Sequence, residues 1–476
     1  MRNSKAIVMI LLLLIFLLAK VMIGNTQGIS FCLESLVVVA IAIIVFFIEQ
    51  QRSSLKGWWV RPSNILLLGL LAVNLQYIVD LVLGLKTYSF FDTPSTTNYC
   101  CAIGSIGVLS FILGNLFLRN TPHTINIVQS STKSNCLFLS CLQAFSLVGW
   151  IMSVDVISLI SGATYGNETW GGGLSANLEE LFYDSTIAII VVKVLSGTNR
   201  KIMKFSDYFK SLGLLFWSLV SVYLLIRLLS GDRGPFIYTI LSIFFSFIFI
   251  SKRKIAFSKV LISAILLAGL MILVGISRSL SYNIAISDKA SIAMQSITKA
   301  RFSEATVFVP TEELALSFRC NETAVSEIKN GAPYHYGRYQ FYAIMNCIPF
   351  MPSLMYNYLG IPITELSSDY YLTECYFGDY NISGQIGTSV IAEFYLELGL
   401  LGVVLGMFIL GLFFKQIDRN ICINPSTALG VFAVIITITF ASRAIYIPRS
   451  NFLSQAKPTF IIGIMFYINK FISKRI

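Results

Sequence analysis

The chain has 476 residues, of which 55% are hydrophobic and only 12% are charged, and its mean hydropathy is +0.75. Soluble domains carry about 25% charged residues, so this composition excludes an ordinary water-soluble enzyme and predicts a membrane protein. The net charge of +11 comes from short basic tracts between apolar runs, a pattern that indicates membrane topology and not a nucleic-acid partner.

Twelve apolar runs approach the roughly 20 residues that a membrane-spanning helix needs. In chain order they are Ala6–Ile23, Phe31–Ile48, Ile65–Gly84, Cys101–Leu118, Leu137–Ile160, Phe182–Leu195, Leu212–Leu229, Phe236–Ile250, Val260–Ile276, Val390–Phe413, Ala428–Phe440 and Thr459–Phe471. Because backbone groups in lipid must pair within their own segment, each run is predicted to be a helix. The sequence therefore predicts an all-α integral membrane protein with about 12 transmembrane helices.

Basic residues set the predicted orientation. Lys5 precedes the first span, and basic tracts follow every even-numbered span, as at Lys56, Lys201 and Lys252. Cytoplasmic connections of membrane proteins are enriched in lysine and arginine. This pattern predicts that both termini lie in the cytoplasm.

One outer connection is much longer than the others. Residues 277–389 separate the ninth and tenth spans and carry seven bases and ten acids, a net charge of −3. Segments this long are usually functional, and we expect this one to contain short amphipathic helices. The chain is thus predicted to consist of helices 1–9 (1–276), a large periplasmic loop (277–389) and helices 10–12 (390–476). The loop contains three cysteines, Cys320, Cys347 and Cys375, which permit one disulfide. The sequence does not decide whether this disulfide forms or which two cysteines it joins.

Ionisable residues cluster at the predicted outer ends of the spans. They are Asp80, Asp155, Asp184, Arg227, Asp232, Arg233, Arg278, Glu393, Glu397, Arg443 and Arg449. Charges in lipid are costly and indicate function. An ion-coupled transporter usually places its site near the bilayer midplane, where these spans are plain apolar. This concentration of charged residues at the outer ends of the spans favours a site where the outer leaflet meets water.

Four arginines at this level, Arg233, Arg278, Arg443 and Arg449, are candidates for binding a phosphate or pyrophosphate group. Guanidinium is planar, permanently charged and able to donate two parallel hydrogen bonds. We predict that these side chains converge on one diphosphate; the alternative is that they anchor the interface or pair with nearby aspartates. Glu393 is a candidate general base and shares a helix face with Glu397. The alternative for both acids is complementing the helix dipole.

The loop is also rich in tyrosine, especially in the segment from Tyr334 to Tyr342. His335, Arg338 and Tyr339 are the residues in it that we expect to contact a glycan, since tyrosine combines a flat apolar face with a hydroxyl. The same property suits the membrane interface. The only histidines are His123 and His335, and with no metal-ligand spacing we expect no metal and no cofactor.

Three stretches of the sequence resemble Wzy-type O-antigen polymerases. Residues 384–402 resemble the Gly/Ser–Glu–Tyr–Gly–Gly stretch that opens a late span in that family. The Gly231-Asp232-Arg233-Gly234 turn resembles its Gly-x-Arg-Gly turn, and the connection holding Arg443 and Arg449 resembles its arginine-bearing outer segment. The layout of spans and late loop is similar over most of the chain. The arginine–x10–glycine repeat of some members is not matched, because Arg319 is followed by glycine only at Gly331.

The resemblance implies a GT-C-like glycosyltransferase of the bacterial inner membrane that joins undecaprenyl-pyrophosphate-linked repeat units at the periplasmic face during lipopolysaccharide synthesis. A separate chain-length regulator is an expected partner. Glu393 and Arg443 are then the expected catalytic residues, without a metal. Arg233, Arg278 and Arg449 would bind the pyrophosphate. A flippase for lipid-linked oligosaccharides, an O-antigen ligase, a dolichol-type sugar transferase and a non-catalytic scaffold are the alternatives.

Overall fold

The computed structural model describes residues 2–52, 61–86, 94–118, 135–154, 174–196, 205–230, 233–251, 269, 306–308, 311–348, 351–379, 386–420 and 428–473. Regular structure in these residues is helical. The helices are α1 Arg2–Met22, α2 Ile29–Arg52, α3 Pro62–Asn74, α4 Gln76–Val82, α5 Pro94–Phe117, α6 Leu137–Ser153, α7 Leu174–Ser196, α8 Phe205–Leu212, α9 Leu214–Ser230, α10 Arg233–Ser251, α11 Glu312–Ala315, α12 Phe318–Lys329, α13 Arg338–Met345, α14 Met351–Asn357, α15 Ile363–Leu366, α16 Ser368–Phe377, α17 Val390–Asn420, α18 Ala428–Ser442 and α19 Ala456–Ser473.

The predicted apolar runs coincide with helices wherever the structure describes them. Four helices of this part of the chain are long and apolar enough to cross a membrane, and six if each bent pair counts as one span. The two bent pairs are α3 with α4 and α8 with α9. The predicted run Val260–Ile276 lies outside the described residues. The all-helical membrane architecture is therefore confirmed, whereas the number of twelve spans stays a prediction.

The chain divides into two compact units that interleave along the sequence. Unit 1 consists of Met1–Pro122, Phe302–Arg419 and Ala444–Ser454. Unit 2 consists of His123–Arg301, Asn420–Arg443 and Gln455–Ile476. The chain therefore passes from one unit to the other several times.

Unit 1 is organised around α5, which is buried along almost its whole length. α1 and α2 pack against it, and α17 approaches it through glycines. A Cβ on Gly114 would overlap the carbonyl oxygen of Phe408, and one on Gly411 would overlap that of Phe111. Because small residues let two apolar helices approach backbone to backbone, α5 and α17 form the tightly packed centre of this unit.

Helix α17 is sharply folded at Leu398 and Gly399. Leu398 has φ −144° and Gly399 has φ 61°, values that no helix contains. A Cβ on Gly402 would overlap the carbonyl oxygen of Phe394, and one on Gly406 would lie 2.5 Å from the Phe394 ring. Eight residues of continuous helix would separate Phe394 from Gly402 by about 12 Å. Residues 390–397, which we call the folded-back segment, therefore pack against the start of the helix that continues from residue 400.

The large loop is tied to α4 by buried polar contacts. Asp80, which is 1% exposed, accepts hydrogen bonds from Thr306 Oγ1 at 2.7 Å and from the backbone N–H of Val307 at 2.8 Å. Lys86 pairs with Glu312 at 3.4 Å. A buried carboxylate needs such donors, and these contacts fix the entry of the loop beside the end of α4.

In unit 2, α6 and α7 pack along each other, and α18, α19 and α10 add to their apolar core. Helix α7 begins at Leu174, eight residues before the predicted span start at Phe182. The added turns carry Glu179 and Glu180, which are paired with Arg227 and Lys457. Pairing lets these acids lie in a partly buried helix that the apolar pattern alone did not include.

Candidate functional site

Glu393, on the folded-back segment, is 1% exposed and held by three donors. Oε1 accepts hydrogen bonds from Gln340 Nε2 at 2.9 Å and from the backbone N–H of Phe452 at 3.3 Å, and Oε2 accepts one from Ser368 Oγ at 3.1 Å. A carboxylate has about four acceptor positions. One position on Oε2 thus has no partner in the part of the chain that the structure describes.

A small polar network surrounds this carboxylate. Ser368 Oγ also lies 3.0 Å from Thr388 Oγ1 and 3.1 Å from Asn451 Oδ1. Asn451 Nδ2 in turn donates to Ser367 Oγ at 2.8 Å. The Ser368 hydroxyl has a single hydrogen, which Glu393 Oε2 and Asn451 Oδ1 compete to accept. The network can therefore rearrange its hydrogen bonds without moving its side chains.

Glu397, one turn further along, has a different environment. Its Oε1 accepts from the backbone N–H of Tyr339 at 2.8 Å, and its Oε2 accepts from those of Arg338, at 3.1 Å, and Gly337. These are N–H groups at the start of α13, where a helix lacks internal acceptors and favours negative charge. Glu397 therefore caps α13 and attaches the loop to the folded-back segment.

Two arginines of unit 1 act electrostatically on one buried thiol, Cys320. Arg449 ends the 3-10 turn Ile447–Arg449, and Arg319 lies on α12. Burial raises the pKa of Cys320 to about 12, against the opposing effect of the positive charges of Arg449 and Arg319. Arg319 stacks 5.8 Å from the Tyr376 ring, and its buried Nε has no hydrogen-bond partner among the described residues. The two guanidinium groups offer donors to an anion.

The three cysteines of the loop are not bridged to one another. Cys320, Cys347 and Cys375 are all free thiols in this structure. The disulfide that the sequence left open is therefore not formed between them.

The residues predicted to contact a glycan take up three different positions. Tyr339 is buried, and its Oη lies 3.4 Å from His335 Nε2. Burial, together with the charge of Arg338, lowers the pKa of His335, so its imidazole is neutral at pH 7. Arg338 pairs at 3.0 Å with Glu365 on the surface. Tyr336, in the same predicted tyrosine segment, is 73% exposed.

Arg443 lies in unit 2, between two tyrosine rings. Its guanidinium is 4.8 Å from the ring centres of both Tyr183 and Tyr238. The Tyr183 hydroxyl is held 3.2 Å from Ser242 Oγ and 3.2 Å from Ser442 Oγ. Contact with two aromatic rings restricts the guanidinium, while its Nε has no partner in the described part of the chain.

Unit 2 contains further charged groups. Asp184 is fully buried, and neither of its carboxylate oxygens has a hydrogen-bond partner among the residues described. Lys457 pairs with Glu180 at 2.5 Å. Arg227 donates to Glu179 at 2.7 Å and stacks 4.9 Å from the Trp150 ring. Unit 2 thus carries its own set of buried and paired charged groups.

The predicted arginine set is divided between the units. Arg449 belongs to unit 1 and Arg443 to unit 2. Arg233 begins α10, but its side chain is outside the described part, as is the whole of Arg278. Their convergence on one diphosphate therefore stays a prediction. No three His, Cys, Asp or Glu side chains of the described residues lie close enough together to bind a metal.

Sequence reasoning missed Gln340, Ser368 and Asn451 as partners of Glu393, and it gave Arg319 no role. Asn451 lies only two residues beyond Arg449, so the motif containing that arginine could have been extended to it. Ser368 and Gln340 carry no pattern, because only the fold brings them to Glu393.

One comparison with known proteins gives a match. The model of a family described as O-antigen polysaccharide polymerase Wzy matches residues 5–475. No curated protein and no solved structure matches the chain.

Proposed function

The chain belongs to the O-antigen polysaccharide polymerase Wzy family, and from this premise we propose how its residues carry out polymerisation. It is a multi-pass membrane protein that joins lipid-linked oligosaccharide repeat units into O-antigen. The flippase and ligase alternatives are not favoured by the family match.

We propose that donor and acceptor are both undecaprenyl-pyrophosphate-linked oligosaccharides, used at the periplasmic face of the inner membrane by a GT-C-like fold with twelve spans and cytoplasmic termini. The long loop between the ninth and tenth spans is then periplasmic. A chain-length regulator is the expected protein partner. The charge pattern of the connections supports this orientation.

In the proposed reaction, a hydroxyl oxygen at the non-reducing end of the acceptor attacks the anomeric carbon of the growing chain. The bond from that carbon to the pyrophosphate oxygen breaks. Glu393 takes the hydroxyl proton, and the Oε2 acceptor position that no described residue fills supports this role. The leaving lipid pyrophosphate keeps the electron pair and carries the negative charge.

Arginines are proposed to stabilise that charge without a metal. Arg449 and Arg319 in unit 1 and Arg443 in unit 2 are the candidates whose side chains the structure describes, and Arg233 and Arg278 stay in the proposal on the sequence pattern alone. His335 and Arg338, with exposed Tyr336 beside them, are proposed to contact the glycan. Buried Tyr339 would act through His335, to which its hydroxyl is close.

The observation that carries this proposal is the buried, side-chain-held carboxylate of Glu393, whose Oε1 also accepts from the backbone N–H of Phe452, three residues after Arg449. The test uses purified protein in liposomes with undecaprenyl-pyrophosphate-linked repeat units and a chelator. We expect polymer and one released undecaprenyl pyrophosphate for each bond formed. Absence of product with this donor, or a requirement for added divalent metal, would contradict the proposed chemistry.

A gene deletion tests the same proposal in cells. We expect a lipid core that carries a single repeat unit, seen as one band on a lipopolysaccharide gel. An unaltered ladder would contradict polymerase action. Loss of every repeat unit would instead indicate a flippase or a ligase.

A further inference from the structure

The folded-back segment begins at a serine cap. Ser389 Oγ accepts a hydrogen bond from the backbone N–H of Ala392 at 2.9 Å, and the Ser389 carbonyl accepts one from that of Glu393 at 2.9 Å. A serine that accepts in this way fixes the first turn of a helix. Ser389 therefore determines where the turn that carries Glu393 starts.

The hydrogen of this serine enters a buried chain of hydrogen bonds. Ser389 Oγ donates to Asn321 Oδ1 at 2.5 Å, Asn321 Nδ2 donates to Asn74 Oδ1 at 2.9 Å, and Asn74 Nδ2 donates to the carbonyl of Leu70 at 3.0 Å. All three side chains are at most 2% exposed. Because the last acceptor is a backbone carbonyl, all hydrogen bonds of the series run in one direction. Each side-chain amide can therefore take only one orientation in it.

The chain of hydrogen bonds is anchored on packed helices. Asn74 ends α3, at the point where α3 and α4 meet at 47°. The backbone of α5 lies against it, since a Cβ on Gly104 would be 3.3 Å from both the Asn74 Cβ and its carbonyl oxygen. Asn321 lies on α12, which also packs on α5. The start of the folded-back segment is thus held by the packed helices at the centre of unit 1, and Glu397 attaches its end to α13.

We propose that Asn74 and Asn321 are positioning residues that set the place of the Glu393 carboxylate through Ser389. This inference rests on the proposed role of Glu393 as the base. Neither asparagine contacts Glu393 itself. Their effect is to hold the first turn of the folded-back segment at the height where Glu393 meets Ser368, Gln340 and the backbone N–H of Phe452.

The first experiment compares Asn321→Leu with a matched variant, Asn115→Leu. Asn115 is a buried asparagine in the same unit that accepts from Gln50 Nε2 at 2.9 Å, away from the folded-back segment. Both variants lose a buried amide and should melt at a lower temperature. We expect kcat with lipid-linked repeat units to fall about tenfold in Asn321→Leu only, with KM changed less than about twofold, because small displacements of a reacting group are costly.

The cap itself gives a second comparison. Ser389→Ala should lower kcat to a similar degree, and Ser389→Thr should restore it, because threonine keeps both the donor and the acceptor. Equal loss of kcat in Asn115→Leu, or unchanged kcat in Asn321→Leu, would overturn the inference. So would equal kcat in the alanine and threonine variants.

A double variant separates this inference from the role of Glu393. If Asn321 acts through Glu393, adding Asn321→Leu to Glu393→Gln should leave the residual rate unchanged. A further fall of about tenfold would show that Asn321 acts elsewhere and would overturn the inference. Full activity of Glu393→Gln alone would contradict the proposed role of Glu393 as the base. Full activity of Asn321→Leu alone would contradict only the positioning role of Asn321.

Discussion

Glu397 Oε1 accepts a 2.8 Å hydrogen bond from the backbone N–H of Tyr339, which ties the folded-back segment to the first turn of α13. The neighbouring acid on the same segment, Glu393, is held mainly by side chains and keeps one acceptor position that no described residue fills. The two carboxylates, one turn apart, thus have different environments: Glu397 fixes the loop, and Glu393 is the proposed base. Each is the natural control for the other.

Glu393→Gln should reduce polymerisation by a factor of about 100 or more, since a positioned general base contributes 10²–10⁴-fold. Glutamine keeps the size of the side chain and can still accept from Ser368, so the protein should reach the membrane in normal amount. The measurement is the polymer ladder in a deletion strain together with the rate in liposomes. A normal ladder would remove Glu393 from the mechanism.

Glu397→Gln, the matched variant, should act on stability. The charge that accepts three backbone N–H groups is lost, and hydrogen bonds to charged groups contribute about 1.5–3 kcal/mol. We expect a lower melting temperature in detergent with activity per folded molecule largely kept. Loss of activity without loss of stability would show that Glu397, too, takes part in the chemistry.

The arginine pair of unit 1 should respond as an anion site. Arg449→Ala and Arg319→Ala should each raise KM for the lipid-linked substrate or lower kcat, and lysine at either position should restore activity only in part, because it lacks the planar fork. Arg419→Ala, which removes an exposed contact with Gln416, is the control for the loss of a positive charge. Equal effects in all three variants would speak against a specific anion site.

Arg443 should depend on the rings that enclose it. Arg443→Lys keeps the charge but loses the planar group, and we expect it to be nearly as inactive as Arg443→Ala. Tyr238→Phe keeps the ring and should retain activity, whereas Tyr238→Leu should not. Wild-type ladders from both Arg443 variants would exclude this residue from catalysis.

Gly399→Ala should destabilise the protein. Gly399 has φ 61° and ψ −144°, a conformation that is essentially limited to glycine and costs other residues about 1–3 kcal/mol. A Cβ there would also lie 2.8 Å from Tyr334 Oη. Gly463→Ala in α19, where no atom lies within 4 Å of the added Cβ, should be neutral or stabilising. Adding Tyr334→Phe to Gly399→Ala should recover only part of the melting temperature, because the backbone strain remains.

Glu322 on α12 should make stability depend on pH. Burial raises its pKa to about 7, although Thr97 donates a hydrogen bond to it. A carboxyl whose pKa is higher in the folded than in the unfolded protein favours folding while it is protonated. This contribution is complete below the unfolded-state pKa, near 4.5, and is lost as pH rises through the folded-state pKa of about 7. The loss is on the order of 3 kcal/mol.

Glu322→Gln should therefore melt like the wild type near pH 4.5 and at a higher temperature above pH 7. Glutamine can still accept from Thr97 and carries no charge. Parallel melting curves of wild type and Glu322→Gln between pH 5 and pH 8 would contradict the assignment.

The sequence predicted the apolar helices well, because in lipid the composition of a run determines its backbone structure. It could not predict the fold in α17. Residues 390–413 read as one predicted span with two acids near its start. The break at Leu398 is stabilised by the loop, because the backbone N–H groups of His335 and Tyr336 bind the carbonyls of Leu396 and Glu397. Those partners come from a distant part of the sequence.

The site was predicted in the same uneven way. Glu393 and Arg449 were proposed because their residue types stand out beside apolar spans; both lie in unit 1, and their roles stay predictions. Arg319 was set aside because the spacing to the next glycine did not fit a repeat. Its contact with the Tyr376 ring depends on how α12 packs, which spacing does not encode. The partners of Glu393 were missed for the same reason, since serine, glutamine and asparagine in a polar loop carry no signal.

The interleaving of the two units has a consequence for biosynthesis. Residues up to Pro122 emerge from the ribosome first, yet α5 is completed by α12 and α17, which follow only after the His123–Arg301 part of unit 2 has been made. At 5–20 residues per second this delay is roughly 10 to 40 s. During that time the glycine-lined side of α5 has no partner of its own, so a nascent chain that stalls within unit 2 would leave an apolar helix face open to the wrong neighbours or to quality-control proteases.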